Sequence, residues 1–117
     1  KENHVGKSWN LKMTCNVNGA QVSAGNLSDM DWTFAEIIER ASYGVDLYPG
    51  DIIGSGTVGT GCFLELNGTG KFNDPNYIEQ WLQNGDVVEM EIDSLGTLTN
   101  TIVMEETDWS ILKRKKG

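Results

Sequence analysis

Histidine and positive charge are both scarce in this sequence of 117 residues. It has one histidine, His4, and nine lysines and arginines against seventeen aspartates and glutamates, for a net charge of −8. A body this acidic would repel phosphate, so no nucleic acid is expected as a partner. His4 lies in the polar stretch at the start, which makes it a poor partner for a serine or cysteine nucleophile. No such catalytic pair is predicted.

Long apolar runs and a dense cysteine framework are missing as well. No apolar run approaches the ~18 residues of a membrane-spanning helix, so no membrane partner is expected. Cys15 and Cys62 are the only cysteines. They do not resemble the framework of a disulfide-stapled secreted domain, and both are interpreted as buried thiols in a reducing compartment. The start "KENHVGKSWN" has no apolar signal-peptide stretch, and a cytoplasmic location is predicted.

What the sequence does contain is enough apolar material for one folded domain. Hydrophobic residues make up 38% of the chain, with four tryptophans, which argues against disorder. Residues 1–8 are predicted to be a frayed start. Residues 105–117, which end in the basic run from Lys113 to Lys116, are predicted to be a solvated tail.

Two hairpins are predicted from alternation and turn residues. Residues 8–17 alternate between apolar and polar side chains and are followed by Asn18-Gly19, a pair that favours a tight hairpin turn. Residues 85–92 and 98–104 are predicted to form a second hairpin closed by "DSLG". A further strand is predicted over 62–66 in "CFLEL".

Helical spacing of the apolar residues predicts a helix over 31–42, with Ser28 or Asp31 as its cap and Gly44 as its stop. A second short helix is predicted over 75–83, because Pro75 suits a first helical position. The chain is therefore expected to be mostly β with two short helices.

The glycine-rich segment contains a G-x-G-x-x-G pattern at Gly54, Gly56 and Gly59. A dinucleotide site needs a helix after these glycines, and "CFLEL" is interpreted as a strand, so nucleotide binding is not predicted. Thr57 and Thr60 offer hydroxyl and N–H donors that suit a carboxylate or oxyanion. A glycine-bulged strand packed against another backbone is an equal alternative.

Glu65 falls in the alternating "FLEL", on the same face as Phe63. It belongs either to the solvated face of a strand or to a cleft in which its carboxylate orients a histidine. Asp29, Asp31 and the other acidic residues are spread along the chain in positions that suit helix caps and solvent-exposed faces. No metal site is predicted from them.

Two stretches together resemble the C-terminal part of the fumarylacetoacetate hydrolase family. They are "DMDWTFAEIIERASYGVDLYPGDIIGSGTVGTGCFLEL" and "NGDVVEMEIDSLGTLTNTIV". The likeness covers roughly residues 9 to 104 and follows the family's order: an aromatic helix, a Pro-Gly-Asp turn, a Gly-Thr strand, a Leu-Glu-Leu strand and a "GTLTN" return.

The resemblance implies an α+β, mostly β fold that is part of a mixed β-roll or barrel, within a catalytic domain considerably longer than this chain. Family members bind Mg²⁺ or Ca²⁺ through several carboxylates. They cleave a carbon–carbon bond of a β-diketo acid such as fumarylacetoacetate, with water activated by a histidine–glutamate pair. By this resemblance Glu65 is the catalytic glutamate and Thr57 the substrate-binding threonine.

The family's histidine and acidic metal ligands belong upstream of Trp9, and nothing in residues 1–8 replaces them. We therefore expect residues 1–117 to be a single C-terminal fragment, inactive alone and without the Mg²⁺ or Ca²⁺ ligands. The expected partners are a small keto acid and a second copy in a homodimer, because exposed sheet edges favour association. An isomerase, hydratase or decarboxylase of related keto acids, or a non-catalytic β-rich interaction module, remains an alternative.

Overall fold

The computed structural model describes residues 4–5 and 8–105. The described elements, in chain order, are β1 (His4–Val5), β2 (Ser8–Trp9), β3 (Lys12–Val17), β4 (Ala20–Asn26), a 3₁₀ turn (Leu27–Asp29), α1 (Phe34–Ala41), α2 (Phe63–Asn73), β5 (Val87–Ile92) and β6 (Gly96–Thr101). Four strands form an open antiparallel sheet in the order β4-β3-β5-β6, and β1 pairs with β2. The prediction of a mostly β fold with two helices is confirmed. The predicted basic tail lies outside the described residues except for Glu105.

Both predicted hairpins are present. Asn18 and Gly19 have φ of 51° and 79° between the paired residues Val17 and Ala20, as a two-residue turn requires. The Asn18 side chain also accepts a hydrogen bond from Val87 N at 2.9 Å and donates to Asp86 Oδ1 at 2.9 Å. The turn of the first hairpin is therefore tied to the start of β5.

The boundaries of three predicted strands shift. The strand predicted over 85–92 is β5, which begins at Val87. The stretch predicted over 8–17 divides into β2 and β3, and between them buried Leu11 accepts a hydrogen bond from Leu27 N through its carbonyl. The strand predicted over 98–104 is β6, which begins at Gly96 because the turn is only three residues long. In that turn Ser94 has a φ of 65°, and Leu95 N donates to Ile92 O.

The predicted first helix is confirmed as α1, but its cap is neither Ser28 nor Asp31. Thr33 caps it: Thr33 Oγ1 accepts from Glu36 N, and Glu36 Oε2 accepts from Thr33 N at 2.8 Å. These reciprocal bonds form a capping box. Ser28 belongs to the preceding 3₁₀ turn. The predicted stop is confirmed by Gly44, which has a φ of 77° shortly after the last helical residue.

The strand predicted over 62–66 is wrong, because α2 begins at Phe63. Cys62 is its N-cap, with the Sγ atom accepting from Glu65 N at 3.4 Å. The apolar residues alternate over four positions only, whereas Phe63, Leu66 and Gly70 share a helical face. Gly70 is needed on that face, since a β-carbon there would lie 2.5 Å from the Tyr77 ring.

The helix predicted over 75–83 is also wrong. This segment is a turn followed by irregular backbone beside α2, where Asn67 Nδ2 donates to Gln80 O at 2.8 Å and Gln80 N donates to Asn67 Oδ1 at 2.9 Å. A helix would need the Gln80 N–H for the carbonyl of Asn76. Asn67 is only 2% exposed. Buried polar groups need hydrogen-bond partners, and the Asn67 amide finds them in the main chain of Gln80.

Apolar packing is thin across the described residues. Leu11 is their one buried hydrophobic side chain, and no residue of α1 is buried. Trp32 is 67% exposed and Phe72 is 90% exposed. Within the described part of the chain, neither helix is long and apolar enough to cross a membrane.

Candidate functional site

The glycine–threonine segment is a loop and not the expected strand. Residues 51–58 have no regular secondary structure and pair with no strand among the described residues. Gly56 has a φ of 102°, and a tight turn follows in which Gly61 N donates to Val58 O at 2.8 Å. The positive φ at Gly56 takes the backbone out of the extended conformation that a strand needs.

The loop is fastened to β4 at two points. Val58 packs on Gly25, where an added β-carbon would lie 2.5 Å from Val58 Cγ1, so only glycine allows this approach. Ser23 Oγ and Thr60 Oγ1 lie 3.3 Å apart and share a hydrogen bond. Thr60 has a φ of 65°, an unusual conformation for a β-branched residue. Such strain persists only where surrounding contacts impose it.

The structure corrects the reason for excluding a dinucleotide site. The glycines are followed by α2 and not by a strand. The motif nevertheless requires a strand that enters the loop within a parallel βαβ unit. Here residues 51–58 are irregular and every described strand pair is antiparallel. The glycine pattern therefore does not stand between a strand and a helix of a βαβ unit, and it does not indicate a dinucleotide site.

Thr57 lines a cavity of about 770 Å³ between loop 54–60, the end of β4 and the residues leading into α1. Asp29, Asp31 and Trp32 lie on the wall contributed by the segment before α1. The loop side therefore presents hydroxyl and main-chain donors, and the opposite side presents two carboxylates and an indole. A negatively charged ligand group would be attracted to the loop side and repelled by the carboxylates.

Sequence reasoning missed Asp29, Asp31 and Trp32 as cavity residues. The two aspartates were assigned to capping and solvated faces. A signal was present: the Thr33-x-x-Glu36 capping box assigns the helix cap to Thr33 and frees both aspartates from that role.

Glu65 lies apart from Thr57. It is an exposed residue in the first turn of α2 and lines neither the Thr57 cavity nor a second cavity of about 530 Å³ beside the sheet. Its neighbours Phe63 and Leu66 do line that second cavity. In a strand Glu65 would share the face of Phe63, whereas two helical positions turn a side chain by about 200°. The helix thus separates the two predicted site residues.

The burial of the two cysteine thiols also differs from the prediction. Both cysteines are free, but only Cys15 is half-buried, whereas Cys62 is exposed. The prediction of a buried thiol is therefore wrong for Cys62, because its position as the N-cap of α2 places it at a helix end.

The carboxyl groups of Glu79 and Asp86 have pKa values below their ordinary range, and neither residue lines the Thr57 cavity. The ion pair with Lys71, at 2.5 Å, lowers the pKa of Glu79, with a further contribution from Trp81. The main-chain N–H of Gln83, followed by the Asn18 side chain, lowers the pKa of Asp86. These contacts join α2 and the first hairpin to residues 79–86, so they are structural.

The described residues offer few ligands for a metal ion. Asp29 and Asp31 share the Thr57 cavity, but within residues 4–5 and 8–105 no group of three or more histidine, cysteine, aspartate or glutamate side chains could hold an ion. Mg²⁺ and Ca²⁺ prefer several oxygen ligands. The described part of the chain does not supply such a set.

Comparisons with known proteins agree with this architecture. Residues 1–103 match the family model described as fumarylacetoacetate (FAA) hydrolase C-terminal. Human mitochondrial oxaloacetate tautomerase FAHD2A is 36% identical over 99 residues, which are 85% of this chain and 28% of that protein. The 2,4-didehydro-3-deoxy-L-rhamnonate hydrolase of Sphingomonas sp. (strain SKA58) is 37% identical over 93 residues, 80% of this chain and 29% of that protein.

A solved structure has the same fold. The fumarylacetoacetate hydrolase from psychrophilic Exiguobacterium antarcticum aligns with a TM-score of 0.62 at 24% identity, over 89% of this chain and 33% of that chain. The 117 residues thus span less than a third of the length of the two curated relatives.

Proposed function

Because the chain belongs to the fumarylacetoacetate hydrolase family, we propose that it forms the substrate-binding part of an enzyme acting on a keto acid. The reaction we propose first is hydrolysis of a carbon–carbon bond in a β-diketo acid such as fumarylacetoacetate. The observation that carries the proposal is the cavity lined by Thr57 and loop 54–60.

The hydroxyl donors on the loop side of this cavity support binding of a carboxylate there, away from the two aspartates. Thr57 and Ser55 carry hydroxyl donors on the loop side, and Asp29 and Asp31 lie on the other side. In the proposed complex, the Thr57 hydroxyl donates to the carboxylate or keto oxygen of the substrate. The remainder of the substrate lies toward Trp32. Hydrogen bonds to a charged group are the stronger kind, so Thr57 would contribute to both affinity and orientation.

Tautomerisation of a keto acid is the second candidate, favoured by the human relative, which is named an oxaloacetate tautomerase. The Sphingomonas relative is named a hydrolase. Both reactions need an enolate-like carbanion to be stabilised beside a carbonyl group, so one oxyanion-binding loop could serve either. Fold alone does not choose between them.

We propose that the histidine partner of Glu65 and the ligands for Mg²⁺ or Ca²⁺ lie outside these 117 residues. The described residues lack a metal-binding group, so the proposal assigns this chain no step through a metal. The cytoplasmic location also stays a proposal, since the human relative is named as mitochondrial.

The substrate-binding role is tested on the chain itself by titrating ¹⁵N-labelled protein with acetylpyruvate. The main-chain amide signals of residues 54–60 are expected to shift together. Thr57→Val should weaken binding about tenfold or more, as expected for losing a hydrogen bond to a charged group. Thr69→Val is the matched control, because Thr69 is exposed on α2 and lines neither cavity. Shifts that avoid the loop, or equal affinities for the two variants, would refute this assignment.

The reaction is tested on the full-length protein. Hydrolysis consumes water and converts acetylpyruvate into acetate and pyruvate, which a coupled assay detects. Tautomerisation instead accelerates the loss of enol-oxaloacetate absorbance as the keto form appears, with no carbon–carbon bond broken and no pyruvate released. Cleavage supports the first candidate, enol decay alone supports the second, and activity toward neither would remove the enzymatic proposal.

A further inference from the structure

The position of Thr57 is not set by regular secondary structure. Residues 51–58 form neither a helix nor a strand, so no regular ladder of hydrogen bonds holds them. Thr57 follows Gly56, whose φ of 102° lies in the region that favours glycine. Glycine gives the backbone freedom and does not fix a direction. The direction of Thr57 must therefore depend on contacts that its neighbours make with the rest of the fold.

Those contacts come from one face of β4. Ser23 and Gly25 are two residues apart in this strand, and alternate residues of a strand lie on the same face. The loop residues that they contact, Thr60 and Val58, are also two residues apart. The end of the loop therefore lies along β4 with two matched contacts.

The contact at Gly25 requires glycine because of the loop and not because of the strand. Gly25 has no positive φ, so its backbone conformation would accept alanine. An added β-carbon, however, would lie 2.5 Å from Val58 Cγ1. Carbon atoms attract each other best at about 3.5–4.0 Å. The loop thus lies about 1 Å closer to β4 than a β-carbon at position 25 would allow.

The contact at Ser23 holds the loop in a strained conformation. Ser23 is buried, and its Oγ lies 3.3 Å from Thr60 Oγ1. Thr60 has a φ of 65°, which a β-branched residue adopts only where surrounding contacts impose it. Strained residues of this kind cluster at ligand sites, and Thr60 lines the Thr57 cavity.

We propose that Ser23 and Gly25 are positioning residues that hold loop 54–60 against β4 and so direct Thr57 into its cavity. Their effect on substrate affinity rests on the proposed function, whereas their effect on the loop does not. A displacement of about 1 Å in a group that orients a substrate can cost a large factor in activity. The affinity for a keto acid should therefore depend on the residue at position 25.

An exchange of side-chain volume between Gly25 and Val58 tests the proposal on the ¹⁵N-labelled chain. Gly25→Ala should shift the amide signals of residues 56–60 in the ligand-free protein and weaken acetylpyruvate binding about tenfold or more. In Gly25→Ala/Val58→Ala the clashing methyl group is gone, and the added β-carbon lies 3.8 Å from the Cβ atom of residue 58. That distance is an ordinary contact. The double variant should recover the loop signals and bind within about threefold of wild type.

Gly68→Ala is the matched control. An added β-carbon at Gly68 meets nothing within 4 Å, and Gly68 lines neither cavity, so the loop signals and the affinity should stay as in wild type. Unmoved loop signals in Gly25→Ala would overturn the proposal. Since Gly25 itself lines the Thr57 cavity, an added methyl group could also obstruct the ligand directly. In that case the double variant would bind as weakly as Gly25→Ala, and the proposal would be wrong.

The loop signals separate this proposal from the proposed function. If wild type bound no acetylpyruvate, while the loop signals moved in Gly25→Ala and returned in the double variant, the substrate would be refuted and the positioning role supported. If Gly25→Ala does not fold, Ser23→Ala decides the case. Losing its hydrogen bond should shift the Thr60 amide signal and weaken binding about threefold or more. Loop signals identical to wild type in Ser23→Ala would overturn the proposal.

Discussion

Asn67→Ala is expected to release residues 75–83 from α2. The wild-type amide makes two short hydrogen bonds with the peptide groups of Gln80, at 2.8 and 2.9 Å, and accepts a longer one from Tyr77 OH at 3.4 Å. At about 1 kcal/mol for each short bond, the loss is about 2 kcal/mol, because exposed Gln80 can bond to water in the variant. At about 4 °C per kcal/mol for a domain of this size, the melting temperature should fall by about 8 °C.

Two measurements check this prediction. Calorimetry gives the melting temperature, and hydrogen exchange followed by NMR reports the Gln80 amide, which should lose its protection in Asn67→Ala. Asn76→Ala is the matched control, since Asn76 is an exposed asparagine of the released segment. If Asn67→Ala melted within 1 °C of the control while the Gln80 amide stayed protected, the side-chain bridge would not be what holds the segment.

Two further predictions concern catalysis and pH. If the full-length protein has the proposed activity, Glu65→Gln should lower its kcat by about 10² or more with little change in KM; an unchanged kcat would remove Glu65 from the proposed catalytic pair. Asp86 has a folded-state pKa below the ordinary 3.8, owing first to the Gln83 N–H and then to the Asn18 side chain. Its stabilisation is therefore present above the unfolded-state pKa and is lost as pH falls through the folded-state pKa. Thermal melts should show a difference between wild type and Asp86→Asn that shrinks below about pH 4, and a difference independent of pH would contradict this reasoning.

The hairpins and α1 were predictable because their signals are local. Asn18-Gly19 accepts the positive φ that a two-residue turn needs, and the apolar spacing of α1 repeats over its whole length. The cap was predictable in principle from Thr33 and Glu36, which are three residues apart. Errors there amount to a few residues at the element ends.

The region from 62 to 83 could not be predicted in the same way. Phe63 to Leu66 is short enough to fit either alternation or a helical face. Pro75 is an acceptable helix start by local rules. What decides against a helix is the bridge between Asn67 and Gln80. That contact joins residues thirteen positions apart and requires α2, so local propensity contains no information about it.

The candidate site was likewise only partly predictable from the sequence. The sequence by itself determined that residues 54–60 are rich in glycine and threonine, with oxyanion donors as one of two interpretations, and resemblance singled out Thr57 within this segment and Glu65 after it. Only the tertiary structure decided that Thr57 shares a cavity with Asp31 and Trp32 while Glu65 does not. The physical reason is that the cavity depends on Val58 packing against Gly25 across β4, a contact between residues far apart in the chain. The direction of Glu65 depends on whether its segment closes helical hydrogen bonds or pairs as a strand.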